Sequence, residues 1–99
     1  MAQRMIVYWR DIPAQVIVRQ GRASEKRELP ERFVHAIDRA AMQAGLTNSD
    51  AYLSEWRRSE PETCGDDLLA EADAAYAALL EAFDQVRLDT LAANGGVAG

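Results

Sequence analysis

Residues 5–19 read MIVYWRDIPAQVIVR, and this stretch decides the fold. Two runs rich in β-branched and aromatic residues, Met5–Trp9 and Ala14–Arg19, flank a short connection at residues 10–13. An aspartate in this connection favours a turn, and Pro13 cannot donate a hydrogen bond to a neighbouring strand. The stretch therefore predicts an antiparallel β-hairpin with a four-residue connection.

Two helices are predicted downstream of the hairpin. Pro30 is tolerated at the first position of a helix, apolar residues then recur at spacings of three and four, and Gly45 is typical of a helix end. This pattern predicts a first helix over residues 30–44. A second apolar stripe, preceded by two aspartates that can cap a helix, predicts a second helix from residue 67 to about 92. At about 1.5 Å per residue this helix would be roughly 38 Å long, so we expect part of it to project from a compact domain.

Residues 51–57 read AYLSEWR and fit either a third strand or a short helix capped by residues 47–50. Alternation places Tyr52 and Trp56 on one side of a strand. Because a two-stranded hairpin alone is marginally stable, we favour the strand. With residues 21–28 taken as a polar loop, the element order is ββαβα. The fold class is thus α+β, with a small antiparallel sheet of three strands packed with two helices, the second of them long.

Length and composition predict one domain. A chain of 99 residues with 48% hydrophobic residues can bury one modest core. We assign residues 1–92 to a single α+β domain and residues 93–99, which lack pattern and bulk, to a disordered C-terminal tail. Cys64 is the only cysteine, which excludes an intrachain disulfide. Since the sequence shows no membrane span and no signal peptide, we expect a cytoplasmic protein without membrane contact.

Charge is distributed unevenly along the chain. The net charge of -5 disfavours nucleic-acid binding. Residues 1–60 carry ten Lys and Arg against eight Asp and Glu, whereas residues 61–99 carry one against eight. The two parts could complement each other within one fold, or the basic part could face an acidic partner while the acidic part keeps the protein soluble.

One face of the predicted sheet has the composition of a protein interface. If Met5, Trp9 and Val16 point towards the helices, the opposite face presents apolar residues surrounded by arginines. An apolar centre with an arginine rim is typical of protein interfaces. The candidate partner-binding residues are Arg4, Ile6, Tyr8, Arg10, Ile17, Arg19, Leu53 and Arg57. The alternative is that a helix covers this face or that the strands are phased differently.

A second candidate site precedes the first helix. Arg22, Lys26 and Arg27 come before a helix N terminus, where free backbone N–H groups favour anions. Glu25 and Glu28 weaken this positive charge, and the glycine spacing is not that of a phosphate-binding loop. A solvated loop is therefore the favoured interpretation, and an anion site is the alternative.

The sequence contains no recognisable catalytic or metal-binding arrangement. Cys64 lies near a helix start, but acidic neighbours on both sides disfavour its thiolate. His35 shares a predicted helix face with Glu31 and Asp38, and these are ligand types that suit metals, but no fourth ligand is apparent. We therefore predict that the protein is not an enzyme and holds neither a cofactor nor a metal.

Four stretches carry a resemblance to a known family: MIVYWRDIPAQVI at 5–17, KRELPERF at 26–33, AIDRAAM at 36–42 and AYLSEWRR at 51–58. Over roughly residues 4–72 the chain resembles the short proteobacterial proteins grouped as the virulence factor family. The resemblance implies a link to host interaction and assigns no catalytic residue. It also implies an association with corrinoid-dependent enzymes of one-carbon metabolism and methionine synthesis.

These observations predict a non-catalytic accessory or protein-interaction module. Its partner would be another protein or a second copy of the chain, since an overlong amphipathic helix often finds its missing cover in a symmetry mate. The alternative is a small anion- or ligand-binding protein associated with the corrinoid-dependent enzymes that the resemblance implies.

Overall fold

The computed structural model describes residues 1–46 and 49–98 of the chain. The described elements are, in chain order, β1 Ala2–Trp9, β2 Ile12–Gln20, β3 Ala23–Glu28, α1 Glu31–Gln43, α2 Ser49–Ser54, β4 Trp56–Arg58, β5 Glu62–Cys64, α3 Leu68–Ala82 and α4 Gln85–Ala93. The strand order is β3-β2-β1-β4, and β5 also pairs with β1. The predicted α+β class and antiparallel sheet are confirmed. The prediction of three strands is wrong, because the sheet of the described chain has five.

The predicted hairpin forms with a shorter connection than expected. Trp9 lies opposite Ile12, so only two residues remain in the turn. Pro13 belongs to β2 and lies opposite Tyr8, where the register of the ladder shifts. Such an irregularity accommodates a residue that has no N–H to donate.

The predicted polar loop at residues 21–28 is wrong for most of its length, because it contains β3. This strand pairs with β2 from Ala23 opposite Gln20 to Glu28 opposite Gln15. It shows no apolar alternation because it is the edge of the sheet, where charged side chains discourage pairing with another chain.

Residues 51–57 do not form one strand, so the preferred prediction is wrong. Most of the segment belongs to the short helix α2, and the chain enters β4 only at Trp56. The indole N–H of Trp9 donates to the carbonyl of Tyr52 at 2.9 Å, and the two rings stack with centroids 5.6 Å apart. These contacts hold α2 against the hairpin. The proposed cap at residues 47–50 lies partly outside the described residues, which exclude 47 and 48.

β4 and β5 both pair with β1 and together form the other edge of the sheet. Between them the N–H of Ser59 donates to the carbonyl of Ile6 at 2.8 Å. The N–H of Ile6 donates in turn to the hydroxyl of Ser59 at 2.9 Å. The Ser59 hydroxyl thus accepts the hydrogen bond of the Ile6 N–H in place of a backbone carbonyl. Ser59 lies in the segment between β4 and β5, which also contains Pro61, a residue with no N–H to donate.

The first helix agrees with its prediction, but the second is two helices. The chain breaks between α3 and α4 at Phe83 and Asp84. The Asp84 carboxylate accepts a hydrogen bond from the N–H of Arg87 at 2.9 Å, which caps α4. Phe83 is buried beside Phe33 of α1, with ring centroids 6.4 Å apart. Because α4 folds back onto α1, the described residues 67–92 do not form one long projecting helix, and the argument for a homodimer based on such a helix loses its premise.

One buried cluster joins the sheet to the helices. Its largest fully buried side chains include Trp9, Ile12 and Val16 from the strands and Phe33 and Leu88 from the helices. None of the described helices is long and apolar enough to cross a membrane.

The described part of the predicted tail, 93–99, makes defined contacts. The N–H of Asp11 donates to the carbonyl of Gly96 at 2.8 Å, and the Asp11 carboxylate accepts from the N–H of Ala98 at 2.7 Å. Gly96 has a φ of +88°, and a Cβ there would lie 3.0 Å from the Trp9 ring. Glycine is therefore required for the chain to pass over this indole. The last residue of the chain lies outside the described residues.

Candidate interaction face

The ladder registers assign the strand residues to two faces of the sheet, since residues directly opposite each other share a face. Val16 and Val18 are fully buried and belong to the same cluster as the buried residues of α3. Met5 and Ile17 lie opposite each other and do not belong to that cluster, so they occupy the other face. We call this other face the outer face. From β3 across to β5 it comprises Ser24, Lys26, Glu28, Gln15, Ile17, Arg19, Gln3, Met5, Val7, Arg58 and Thr63.

The apolar centre of the outer face is covered. Met5 and Ile17 expose only 4% and 7% of their surface. By register they are surrounded by longer polar side chains, among them Gln3, Arg19 and Lys26, which are exposed. Arginine and lysine stems can lie over apolar surface while their charged groups remain in water. Around Met5 and Ile17, the described outer face therefore presents charged side chains to solvent and no bare apolar patch.

The strand cations on the α3 side are paired with carboxylates. Arg4 Nη1 lies 4.0 Å from an oxygen of Glu71, and Arg27 Nε lies 3.0 Å from an oxygen of Asp73, both on α3. Arg27 Nη1 also donates to Glu25 at 2.9 Å. The hydrogen bonds to Glu25 and Asp73 raise the pKa of Arg27. On this side the basic and acidic parts of the sequence neutralise each other.

The cations on the outer face have no such partners. Arg19, Lys26 and Arg58 are exposed, and none forms an ion pair or a side-chain hydrogen bond with any residue that the structure describes. The one carboxylate among the outer-face residues is Glu28. The outer face thus has a local excess of positive charge, although the chain as a whole carries -5.

A small cavity opens where the outer face meets the start of α1. It has a volume of about 230 Å³. Its lining residues are Val7, Ala14, Gln15, Glu28, Leu29, Val34 and Trp56. Most of this lining is apolar, and half of the Val34 side chain remains exposed. We call it the Trp56 pocket.

The turn between β1 and β2 is held by its own polar contacts. Arg10 has a φ of +54°, which costs a residue with a side chain about 1–2 kcal/mol. Its guanidinium donates to Glu55 at 2.9 Å and to the carbonyl of Gly95 at 3.0 Å, and it lies over the Trp9 ring. These contacts offset the strain and give Arg10 a structural role.

Arg57 braces the same turn from β4. It donates to the carbonyl of Arg10 at 3.0 Å and to the Asp11 carboxylate at 3.2 Å. Its guanidinium lies 4.5 Å from the centre of the Tyr8 ring, where a cation–π contact is favourable. Arg57 and Tyr8 therefore interact with each other within the fold.

The eight residues predicted to form a partner-binding face lie in three places. Arg4 and Ile6 lie on the α3 side, Ile17 and Arg19 on the outer face, and Tyr8, Arg10, Leu53 and Arg57 at the turn end. The prediction grouped Met5 with Val16, but the register places Met5 opposite Ile17 and Ile6 opposite Val16. Leu53 is 60% exposed on α2 and is not a strand residue.

The three predicted anion-binding residues do not converge. Arg22 lies in the turn before β3, so a six-residue strand, about 20 Å long, separates it from the start of α1. Lys26 and Arg27 are adjacent in β3 and point to opposite faces. Arg27 is already paired with Asp73. The segment that was interpreted as a loop before a helix is a strand, which removes the premise of the site.

Lys26 and Arg58 were not predicted to share a face, and the Trp56 pocket was not predicted at all. The sequence does place Ser24, Lys26 and Glu28 at alternate positions, as on one face of a strand. Because the segment lacks apolar residues, this spacing does not distinguish a strand from a loop. The pocket depends on Leu29 and Val34, whose positions follow from where α1 starts relative to the sheet.

Cys64 and His35 show no reactive setting. Burial raises the pKa of the Cys64 thiol, and the Glu71 carboxylate raises it further, so the thiolate is disfavoured at neutral pH. His35 is exposed on α1. Within residues 1–46 and 49–98, no group of three or more His, Cys, Asp or Glu residues could hold a metal ion.

A known protein family matches most of the chain. The model of a family described as "Virulence factor" matches residues 7–92 of the 99-residue chain. Neither the curated proteins nor the solved structures contain a match to this sequence.

Proposed function

This chain belongs to the virulence factor family, and we propose that it is a non-catalytic protein-interaction module that binds an acidic partner protein on its outer face. The observation that carries the proposal is that the cations on one side of the sheet form ion pairs within the fold and those on the other side form none with the residues that the structure describes. Arg4 and Arg27 are paired within the fold, whereas Arg19, Lys26 and Arg58 are exposed and unpaired among the described residues.

The extent of the outer face favours a macromolecular partner. Neighbouring strands lie about 4.8 Å apart, so four strand positions give a surface that one face of a protein can cover. Complementary charge across such a surface steers the partner and fixes its orientation. Unpaired surface cations therefore serve recognition without adding to the stability of the isolated domain.

The number of cations favours a protein over a nucleic acid. Proteins that bind DNA through its backbone often contact about six to ten phosphates. The outer face offers three unpaired cations beside Glu28, in a chain whose net charge is -5. A protein partner needs only a few complementary charges at the rim of the contact.

The alternative of a small anion-binding protein associated with corrinoid-dependent enzymes is less well supported. It was based on Arg22, Lys26 and Arg27, and these three side chains do not converge on one site. The raised pKa of Cys64 supports a role without nucleophilic catalysis.

Affinity capture with a matched pair of variants tests the proposal. The first variant, Arg19→Gln, Lys26→Gln and Arg58→Gln, removes the three outer-face cations. The control, Ala70→Glu, Ala74→Glu and Ala78→Glu, places the same charge change of -3 on exposed positions of α3. Both have a net charge of -8, so overall charge cannot explain a difference between them.

We expect the native protein and the α3 control to capture the same acidic protein from a lysate of the source organism. The outer-face variant should lose it, while circular dichroism shows that all three proteins are folded. Equal capture by the two variants would contradict the proposal, and capture of RNA or DNA in place of protein would overturn the choice of partner.

A further inference from the structure

We infer that the acidic partner inserts one bulky apolar side chain into the Trp56 pocket while its carboxylates contact Arg58 and Lys26. This inference rests on the proposed function and names the chemistry of the segment that is recognised. The partner segment is a short acidic stretch that contains a single phenylalanine, tryptophan or leucine.

The size of the pocket favours a side chain over a free small molecule. Pockets for small ligands usually have volumes of about 300–1,000 Å³. The Trp56 pocket, at about 230 Å³, falls below this range. Interfaces typically derive much of their affinity from one or a few anchor side chains that fill such pockets.

The walls of the pocket are suited to an apolar anchor. Val7, Leu29 and Val34 provide aliphatic surface. Trp56 adds an aromatic wall, and its ring is fixed edge-to-face against Tyr52 with centroids 6.1 Å apart. A wall that is held in place before binding loses little entropy when the anchor enters. The pocket is therefore prepared for an apolar group.

Two unpaired cations lie beside the pocket. Arg58 is directly opposite Val7 in the ladder, and Val7 lines the pocket. Side chains in this relation have Cβ atoms about 5 Å apart. Glu28 also lines the pocket, and Lys26 precedes it by two residues on the same face of β3. Two residues along a strand span about 7 Å. Carboxylates one or two residues away from the anchor can therefore reach both cations.

Trp56 also offers an unused hydrogen-bond donor. The indole N–H of Trp9 donates to the carbonyl of Tyr52, whereas that of Trp56 has no hydrogen-bond partner among the residues described. Tryptophan is enriched at interfaces because it combines a large apolar surface with such a donor.

The Glu28 carboxylate lies at the rim of the pocket and would repel the carboxylates of an acidic segment. Replacing Glu28 with a neutral residue should therefore strengthen binding.

The test uses three synthetic peptides of five residues and isothermal titration calorimetry. The first has phenylalanine flanked on each side by two glutamates, the second has alanine in place of the phenylalanine, and the third has glutamines in place of the glutamates. The protein is used as the native chain and as the variants Val34→Glu, Val86→Glu and Glu28→Gln. Val86 is 74% exposed on α4 and is absent from the pocket lining, so Val86→Glu matches the residue change and the charge of Val34→Glu.

We expect the phenylalanine peptide to bind the native chain and Val86→Glu with dissociation constants within about twofold of each other. Binding should weaken about tenfold with the alanine peptide, because a buried phenylalanine side chain contributes an affinity change of this size. Val34→Glu should weaken the phenylalanine peptide to a similar degree. Glu28→Gln should bind it about twofold to threefold more tightly, as expected when one exposed like-charge contact is removed.

The outcomes separate the inference from the proposed function. If the alanine peptide binds as tightly as the phenylalanine peptide, the anchor is wrong and an acidic partner still stands. If the glutamine peptide binds as tightly as the glutamate peptide, the acidic partner is wrong. If Val34→Glu and Val86→Glu bind the phenylalanine peptide equally, the anchor does not occupy the Trp56 pocket, and absence of all binding would overturn both claims.

Discussion

The two faces of the sheet use the same residue types for different purposes. On the α3 side, valines are fully buried and arginines are paired with carboxylates of the acidic helix. On the outer face, the apolar pair Met5 and Ile17 is buried and has long polar side chains as register neighbours, and the cations remain unpaired among the described residues. The comparison teaches that cations of one sheet differ in whether carboxylates of the fold neutralise them, and that those on the outer face keep their charge available at the surface.

The largest expected effect comes from placing a charge on the α3 side. Val18 is fully buried, so Val18→Asp leaves an unpaired carboxylate in the core and should lower the free energy of unfolding by about 3–5 kcal/mol. Its neighbour Arg19 is on the outer face, and Arg19→Asp should cost less than about 1 kcal/mol. Urea unfolding of both variants measures the difference. Equal losses would mean that the two faces are not distinct.

A smaller effect is expected where the C-terminal residues pack on Trp9 at the turn end of the hairpin. Gly96→Ala places a Cβ 3.0 Å from the Trp9 ring at a φ of +88° and should cost about 2–3 kcal/mol. Gly45 also has a positive φ, but a Cβ there meets nothing within 4 Å, so Gly45→Ala should cost only about 1 kcal/mol. Thermal unfolding of the two variants measures the cost of contact separately from backbone strain. If Gly96→Ala costs no more than Gly45→Ala, the C-terminal residues do not pack on Trp9.

A third expectation compares two neighbouring cations of β3. Arg27 pairs with Glu25 and Asp73, whereas Lys26 has no partner among the described residues. Arg27→Gln should therefore lower the unfolding temperature slightly, and the loss should shrink at high salt because the pair is exposed. Lys26→Gln should leave the unfolding temperature unchanged at every salt concentration. A larger effect of Lys26→Gln would contradict the assignment of free and paired cations.

The smallest expected effect is a pH dependence at the contact between α1 and α4. Hydrogen bonds from Arg39 and Gln85 lower the pKa of Asp89. A lowered carboxylate pKa stabilises the fold above the unfolded value of about 4 and loses this contribution as pH falls through the folded value. Asp89→Asn should therefore unfold at a lower temperature than the native chain at pH 6, and this difference in unfolding temperature should narrow below pH 4. A gap that is constant from pH 6 to pH 3 would show that the charge of Asp89 does not stabilise this contact.

The sequence predicts those elements in which apolar side chains recur with the period of a strand or of a helix. β1, β2 and α1 have a periodic apolar pattern, and all three were predicted within a few residues. β3 was missed because charged residues are typical of an edge strand, which hides the apolar alternation. The helix α2 was only the alternative prediction, because six residues fit both periods equally well. The break between α3 and α4 depends on Asp84 acting as a second helix cap while Phe83 enters the core, and the apolar stripe continues across it.

The candidate site was less predictable than the fold. A shift of one residue in strand pairing transfers every side chain to the opposite face, and the register of this hairpin changes at Val7 and Tyr8. The sequence therefore predicted a sheet face with an apolar centre and an arginine rim, and the structure distributes its eight residues over three parts of the fold. The division between paired and unpaired cations depends on α3, which is distant in sequence from β1 and β3.

The most direct test of the outer face is a map of backbone amide shifts. The ¹⁵N-labelled native chain is titrated with the peptide that has phenylalanine between pairs of glutamates. The account predicts that the largest shifts fall in β2, β3 and β4 and at the start of α1, while the amides of α3 and α4 change little. Shifts centred on the contact between α1 and α4, around Arg39 and Asp89, would contradict it.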